Sequence, residues 1–157
     1  MVIAFTRSSP IDASFDSNTD IVCPPEQPLL SFISLVAPLI ATGNRVVAVP
    51  SAAAPLCVTD FYQVLETSDL PDGVVNIVTG DSELLARTLA QHDDVDAVWA
   101  FHSCALCTVV EQLSAGNLKR TLVDHGRGTD WLHASSEGRA WLHHAVQVKN
   151  IWVPYGD

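Results

Sequence analysis

The chain has 157 residues, of which 48% are hydrophobic and 17% are charged, and its formal net charge is −10. This length and composition fit one globular domain with a substantial core, and they exclude an intrinsically disordered chain. Because nucleic acids and anionic membranes are polyanions, so acidic a surface argues against both as partners. The acidic residues are dispersed along the chain, which is typical of a solubilising surface.

The cysteines and the apolar segments indicate a reducing compartment. Cys23, Cys57, Cys104 and Cys107 lack the dense, even spacing of a secreted disulfide framework. The N-terminal stretch MVIAFTRSSPIDASFD has too short an apolar part for a signal peptide. The apolar run at residues 29–41 is shorter than the ~20 residues that span a bilayer. We therefore expect a cytoplasmic protein with no membrane partner.

Short β-branched runs alternate with helical stretches between residues 20 and 127. The predicted strands are Asp20–Cys23, Arg45–Val49, Val74–Val78, Ala97–Phe101 and Lys119–Val123. The predicted helices are Leu29–Thr42, Val58–Ser68 and Ser82–Gln91, and residues Thr108–Leu113 lie in a fourth. Apolar strands separated by helices predict an α/β fold, with a Rossmann-like parallel five-stranded sheet and helices on both faces. Ligands of such sheets bind at the carboxyl ends of the strands.

The pattern changes after Gly128. Residues Trp131–Glu137 are loop-like, and Glu137–Ala145 predicts a short helix. Val146–Tyr155 alternates in a way that predicts a strand with apolar residues on both faces. Such a strand lies inside the sheet or pairs with another subunit, and we favour pairing because the sheet already has five strands. We therefore expect one domain at residues 1–128, followed at 129–157 by a helix and an oligomerisation strand.

Reactive side chains cluster in residues 100–107, AFHSCALC. Cys104 and Cys107 have a C-x-x-C spacing at a predicted helix start, where redox motifs lower a thiol pKa. They lack the neighbours of a thioredoxin-like motif, which favours ordinary helix residues. With His102 and His125 they offer four zinc ligands, but structural zinc sites more often use two C-x-x-C pairs. We expect no metal site here.

A hydrolytic triad is a further alternative at the same strand ends. Asp124 and His125 follow the fifth predicted strand, and Ser103 follows the fourth. The G-x-S-x-G turn that exposes such a nucleophile is missing from the sequence. The pattern therefore favours no catalytic residue here.

Residues 20–127 resemble the nucleotide-binding domain of aldehyde dehydrogenases. The matching stretches are PEQPLLSFISLVAPLIATGNRVVAVPS, LPDGVVNIVTG, DVDAVWAFHS and NLKRTLVDHG. The tail AVQVKNIWVPYGD resembles that family's C-terminal oligomerisation strand. The resemblance implies a fold built to bind NAD(P). The cofactor-binding positions that it implies, in degenerate form, are Pro24, Pro50, Ser51, Gly80 and Ser103.

Five positions depart from what the resemblance implies for active members. Glu26 replaces an Asn whose amide forms part of the oxyanion hole, and a carboxylate repels an oxyanion. Val49 and Ala52 replace the Lys and Glu that hold the adenosine ribose. His102 replaces a Gly where the backbone approaches the dinucleotide. Val123 stands in the place of the general-base Glu and cannot accept a proton.

The chain most resembles the shortened C-terminal unit of family 16 aldehyde dehydrogenases. That unit keeps the nucleotide-binding fold and the oligomerisation strand and lacks the catalytic domain, which implies a natural start upstream of Met1. The family's nucleophilic Cys lies well beyond the fifth strand, and no Cys follows Cys107 here. We expect a pseudoenzyme domain with a structural role and no cofactor, whose partner is a catalytic aldehyde dehydrogenase domain or another copy. The alternative is the NAD(P)-binding part of an oxidoreductase whose catalytic domain lies elsewhere in the chain or assembly.

Overall fold

The computed structural model describes residues 3–4 and 17–147, and these form one sheet covered by helices. The strands are β1 (Ile3–Ala4), β2 (Ser17–Val22), β3 (Asn44–Val49), β4 (Val75–Val78), β5 (Ala97–Ala100) and β6 (Arg120–Val123). The helices are α1 (Pro28–Ala41), α2 (Pro55–Glu66), α3 (Ser82–Gln91), α4 (Cys104–Ser114) and α5 (Gly138–Ala145). Single 3-10 turns lie at Ala115–Asn117 and Ala134–Ser136.

The sheet is doubly wound around β2. Its strand order is β1-β4-β3-β2-β5-β6, and strands β2 to β6 are parallel. This confirms the predicted Rossmann-like, five-stranded parallel sheet. Because the chain runs outward from β2 first through β3 and β4, and later through β5 and β6, a crevice opens between the carboxyl ends of β2 and β5. That crevice is where such folds bind ligands.

Strand β1 was missing from the sequence-based prediction. It pairs antiparallel with β4, with Ile3 opposite Val78 and Ala4 opposite Ile77. A two-residue strand has too few positions to show an alternating pattern, so the sequence carries no local signal for it.

The two faces of the sheet build two separate cores, because successive strand side chains point to opposite sides. Helices α1, α2 and α5 cover one face, and α3 and α4 cover the other. The α1 core includes Ile21, Phe32, Val46, Ile77 and Trp99. The α3 core includes Val22, Ala86, Val98, Ala100 and Val110. Strand β5 contributes to both cores and is buried along its whole length, which explains why its sequence is apolar throughout.

Helix α5 and the segment before it close the α1 face. The Trp141 ring lies 5.5 Å from that of Phe101 and 6.3 Å from that of Trp99, and it stacks on Trp131 at 5.8 Å. Such aromatic pairs add about 0.5–1.5 kcal/mol each to the area they bury. The buried Asn44 amide donates to the Ala145 carbonyl at 3.1 Å, which fixes the end of α5 to the start of β3.

Element bounds agree with the prediction in part. Helix α4 begins at Cys104, where the sequence indicated a helix start, because the Ser103 hydroxyl caps it and accepts the Leu106 N–H at 3.4 Å. Helix α2 begins at Pro55, since proline is favoured in a first turn, where its missing N–H costs nothing. Helix α5 agrees with the prediction to within one residue.

The predicted C-terminal strand lies mostly outside the described residues. Val146 and Gln147 are described and are not in a strand, while residues 148–157 fall beyond the described range. The oligomerisation strand therefore stays a prediction. Among the described helices, none is both long and apolar enough to cross a membrane.

Candidate functional site at the carboxyl edge of the sheet

The predicted cofactor-binding residues all follow strands of the parallel sheet at its carboxyl edge. Pro24 follows β2, Pro50 and Ser51 follow β3, Gly80 follows β4, and Ser103 follows β5. Since β3, β2 and β5 are neighbours, Pro24, Pro50, Ser51 and Ser103 border the central crevice. Pro24, Pro50 and Ser51 are buried, whereas Gly80 and Ser103 are exposed. Their contact with a cofactor stays a prediction.

In the turn after β3, the side chain of Ser51 bonds the backbone of the turn itself. Ser51 is only 3% exposed, and its hydroxyl accepts the Ala53 N–H at 3.2 Å. The Ser51 carbonyl accepts the Ala54 N–H at 3.3 Å. Ala52 is exposed at this turn and has no polar side-chain group to offer a ribose. The Ser51 hydroxyl and carbonyl therefore both stabilise the turn itself.

A carboxylate organises the turn between β5 and α4. Asp124, just after β6, accepts the His102 N–H at 3.2 Å and the Gly126 N–H at 3.1 Å through the same oxygen, Oδ1. The sequence pattern indicated Asp124 only as a possible member of a hydrolytic triad, so this role was not predicted. An Asp followed by His-Gly at a strand end is a pattern that bonds its own turn, and this signal could have indicated it.

Gly126 lets the two turns approach each other closely. Its φ is +68°, a left-handed backbone conformation that residues other than glycine rarely adopt. A Cβ there would lie 3.4 Å from the Cys104 nitrogen and 3.6 Å from the His102 oxygen. The exit of β6 therefore packs directly against the first turn of α4.

The side chains at these exits do not form the hydrolytic triad that the sequence raised. His125 lies 3.6 Å from Glu111 through its Nε2 atom, so its ring is directed to α4. The Ser103 hydroxyl lies 3.3 Å from His102 Nδ1, but it caps α4. The Asp124 carboxylate bonds the backbone of His102 rather than a histidine ring. No Ser-His-Asp relay connects these groups.

The C-x-x-C pair lies on the first turn of α4, with its two sulfurs in different environments. Cys107 is fully buried, and its thiol donates to the His102 carbonyl at 3.4 Å and the Ala100 carbonyl at 3.5 Å. Burial raises the pKa of the Cys107 thiol, so the helix start does not activate it. Cys104 is exposed, and both cysteines are free thiols. This arrangement agrees with the interpretation of Cys107 as a core residue.

A zinc site at the same place finds no support in the geometry. Across residues 3–4 and 17–147, no three His, Cys, Asp or Glu side chains come together as a metal-binding group. The Cys107 sulfur is enclosed by backbone carbonyls, and His125 faces Glu111.

The electrostatics of this edge are acidic. Glu26 follows β2 and is exposed, Asp81 caps α3 through hydrogen bonds of 2.9 and 3.0 Å, and Asp124 lies between β6 and α4. Arg127 is the basic residue at the exit of β6. Val123, at the end of β6, is half-buried and carries no group that can exchange a proton.

Comparison with known proteins identifies the family. The aldehyde dehydrogenase family model matches residues 19–130. Aldehyde dehydrogenase 1A1 of Rattus norvegicus is 30% identical over 126 residues, which are 80% of this chain and 24% of that protein. The 2-aminomuconic semialdehyde dehydrogenase of Danio rerio is 33% identical over 106 residues, 68% of this chain and 22% of that protein.

Solved structures agree with the sequence matches. A mutant of aldehyde dehydrogenase C from Pseudomonas syringae, in complex with NAD+ and octanal, superposes with a TM-score of 0.66 and 32% identity over 68% of this chain and 22% of that one. The chain thus spans a quarter or less of the length of these relatives. The matched part is the nucleotide-binding region, and on this evidence the chain belongs to the aldehyde dehydrogenase family.

Proposed function

We propose that this chain is a non-catalytic, aldehyde-dehydrogenase-like domain with a structural role. In this proposal it keeps the nucleotide-binding fold, and its cofactor crevice has been remodelled, as in the family 16 unit that it resembles. The observation that carries the proposal is the Asp124 carboxylate, which accepts hydrogen bonds from the N–H groups of His102 and Gly126 at the carboxyl ends of β5 and β6. In folds of this type, backbone N–H groups at a helix start face the cofactor phosphates. Here a carboxylate of the chain itself accepts the N–H of His102, which lies two residues before the start of α4.

Charge supports the same proposal. A carboxylate about 4 Å from a phosphate oxygen would raise the free energy of binding by about 1–4 kcal/mol, depending on the local dielectric. Glu26 adds a second acidic group where active relatives are expected to have an amide. His102 adds a ring beside the helix start that a glycine would leave open. Each change acts against dinucleotide binding through a different physical cause.

Exposed apolar side chains support a structural role. Leu29, Leu30 and Ile33 on α1 are 38%, 36% and 36% exposed, and together with Ala54 and Cys57 they line a shallow hollow of about 360 Å³. Clustered exposed apolar residues commonly mark protein interfaces. We infer that a catalytic aldehyde dehydrogenase unit or a second copy of this chain packs here.

The cofactor part of the proposal is tested by calorimetric titration of the purified chain with NAD+. We expect no binding with a dissociation constant below about 100 μM, which corresponds to a binding free energy of about 5.5 kcal/mol. Tighter binding would contradict the proposal. The variant H102G/D124A removes the added ring and carboxylate, and it should bind NAD+ more tightly than the wild type.

The packing part is tested by light scattering after size-exclusion chromatography, for the chain alone and mixed with a catalytic aldehyde dehydrogenase. We expect an assembly that I33E weakens, because a carboxylate would be buried in the apolar contact. The matched control is L84E, because Leu84 is 64% exposed on α3, on the other side of the sheet. A monomer in both samples, or equal effects of the two variants, would refute this interface.

A second candidate is the NAD(P)-binding part of an oxidoreductase completed elsewhere. Its support is the likeness to the Pseudomonas syringae enzyme, whose structure holds NAD+. The same titration separates the two candidates, since this one requires the tight binding that the first excludes.

A further inference from the structure

A second cavity lies on the α3 face of the sheet, near the amino ends of the strands and away from the carboxyl edge. Its volume is about 260 Å³. Asp20, Val47 and Asn76 from three adjacent strands line it, together with Leu89 of α3 and His92 just after that helix. None of the family's features considered above involves this cavity.

The strand register explains this arrangement. Asp20 on β2 lies opposite Val47 on β3, and Val47 lies opposite Asn76 on β4. These residues form one row across the sheet. Because side chains alternate between faces, Asp20 points to the opposite side from Ile21, which belongs to the α1 core. The carboxylate therefore lies on the α3 side of the sheet, in a cavity whose lining combines the apolar Val47, Leu89 and Val95 with the polar or charged residues Asn18, Arg45, Asn76, His92 and Asp94.

Asp20 is buried with one carboxylate oxygen unsatisfied. The residue is 1% exposed, and its Oδ2 atom makes no hydrogen bond. A buried, unpaired carboxylate normally costs several kcal/mol. Burial raises the pKa of Asp20 to about 7, and the charge of Lys119 lowers it only in part.

The basic side chains nearby leave this carboxylate unpaired. Lys119 directs its Nζ to the His92 carbonyl. Arg45 also lines the cavity, but no ion pair joins it to Asp20 within the described part of the chain. Arg45 is exposed and can be hydrated, so its charge does not need a ligand. The group that lacks a partner is the carboxylate, and its complement is a cation that donates N–H bonds.

We propose that this cavity binds a small primary ammonium ion, whose charged nitrogen pairs with Asp20 and whose apolar part lies against Val47 and Leu89. The amide nitrogen of Asn76 donates to the Gly73 carbonyl at 3.0 Å, which leaves its Oδ1 as an acceptor for a second ammonium N–H. The volume is below the roughly 300–1,000 Å³ of pockets for drug-sized ligands, so the ligand is a small amine. The net charge of −10 favours the approach of cations to the protein.

The test titrates the full chain with n-butylammonium chloride at pH 8 and follows backbone amide signals by NMR. We expect saturable shifts at Asp20, Val47 and Asn76, and none with sodium chloride or n-butanol at the same concentrations. D20N should weaken binding by at least about tenfold, because it removes the charge and keeps the shape. D60N, which changes an exposed carboxylate on α2, should leave binding unchanged.

A second variant separates a cation site from an anion site. R45A should bind butylammonium at least as tightly as the wild type, because a competing positive charge is lost. The proposal is overturned if butylammonium causes no saturable shifts, if D20N binds as well as the wild type, or if R45A abolishes binding. Equal shifts with n-butanol would overturn it too, because they would show that the charge plays no part.

Discussion

The buried carboxyl of Asp20 makes a prediction about how stability depends on pH. Its pKa rises from 3.8 to about 7 on folding, chiefly through burial. The folded chain therefore holds a proton between about pH 4 and 7 that the unfolded chain has released, so stability falls as pH rises through this window. The loss over the whole window is about 4 kcal/mol, at 1.36 kcal/mol for each pKa unit. The variant D20N has no ionisable group at this position, so its stability should not fall for this reason.

We expect D20N to match the wild type near pH 4 and to become progressively more stable than it up to pH 8. The gain in the free energy of unfolding should be smaller than about 4 kcal/mol, because Lys119 loses its carboxylate neighbour in the variant. Arg45, His92 and Asp94 also line the cavity and are present in both proteins, so the comparison isolates the change at position 20. The assay is urea unfolding at pH 5 and 8, with D60N as the exposed control. A difference that does not change with pH, or a D20N less stable at pH 8, would refute the reasoning.

Three further predictions concern the crevice and the aromatic core. Iodoacetamide should modify Cys104 in the folded chain and spare Cys107, whose buried thiol has a raised pKa, and mass spectrometry before and after denaturation checks this. D124A should speed hydrogen exchange at the His102 amide and lower the free energy of unfolding by about 1–3 kcal/mol, whereas D124N keeps an acceptor oxygen and should lose less. W141A should lower the free energy of unfolding, measured by thermal unfolding, by about 2–3 kcal/mol. This is less than the ~3–5 kcal/mol expected for a fully buried tryptophan, since Trp141 is half-buried. No loss would mean that α5 does not close the core.

The sheet could be predicted from the sequence because burial on both faces leaves a strong local pattern. Residues 97–100 are apolar throughout, and all are buried. Helix bounds were less predictable, since the first turn of a helix can precede its apolar spacing. Helix α2 begins at Pro55, whereas the apolar spacing indicated Val58. Strand β1 depends on the free edge of β4, a partner far away in sequence, and could not be found locally.

The candidate site was predicted in outline and not in its interactions. The carboxyl ends of the strands follow from the strand order, so the exits could be named in advance. The role of Asp124 requires the backbone N–H of a residue 22 positions earlier, which only the β5–β6 register provides. Asp20 stands at the start of the apolar run DIVC, where an acidic residue usually marks an exposed strand end. Only the packing of α3 over the sheet shows that it is enclosed.

The hydrogen bond from Asn44 to the Ala145 carbonyl joins residues 101 positions apart, and it has a consequence for biosynthesis. The ribosome adds about 5–20 residues per second, and domains fold as their segments emerge. A nascent chain that ends near Arg127 has the five parallel strands that the structure describes, yet Trp99 and Phe101 still lack the cover of Trp141. The part of the α1 face that α5 covers therefore stays open until α5 has left the exit tunnel. During that interval this aromatic surface is the part of the chain that we expect a chaperone to bind.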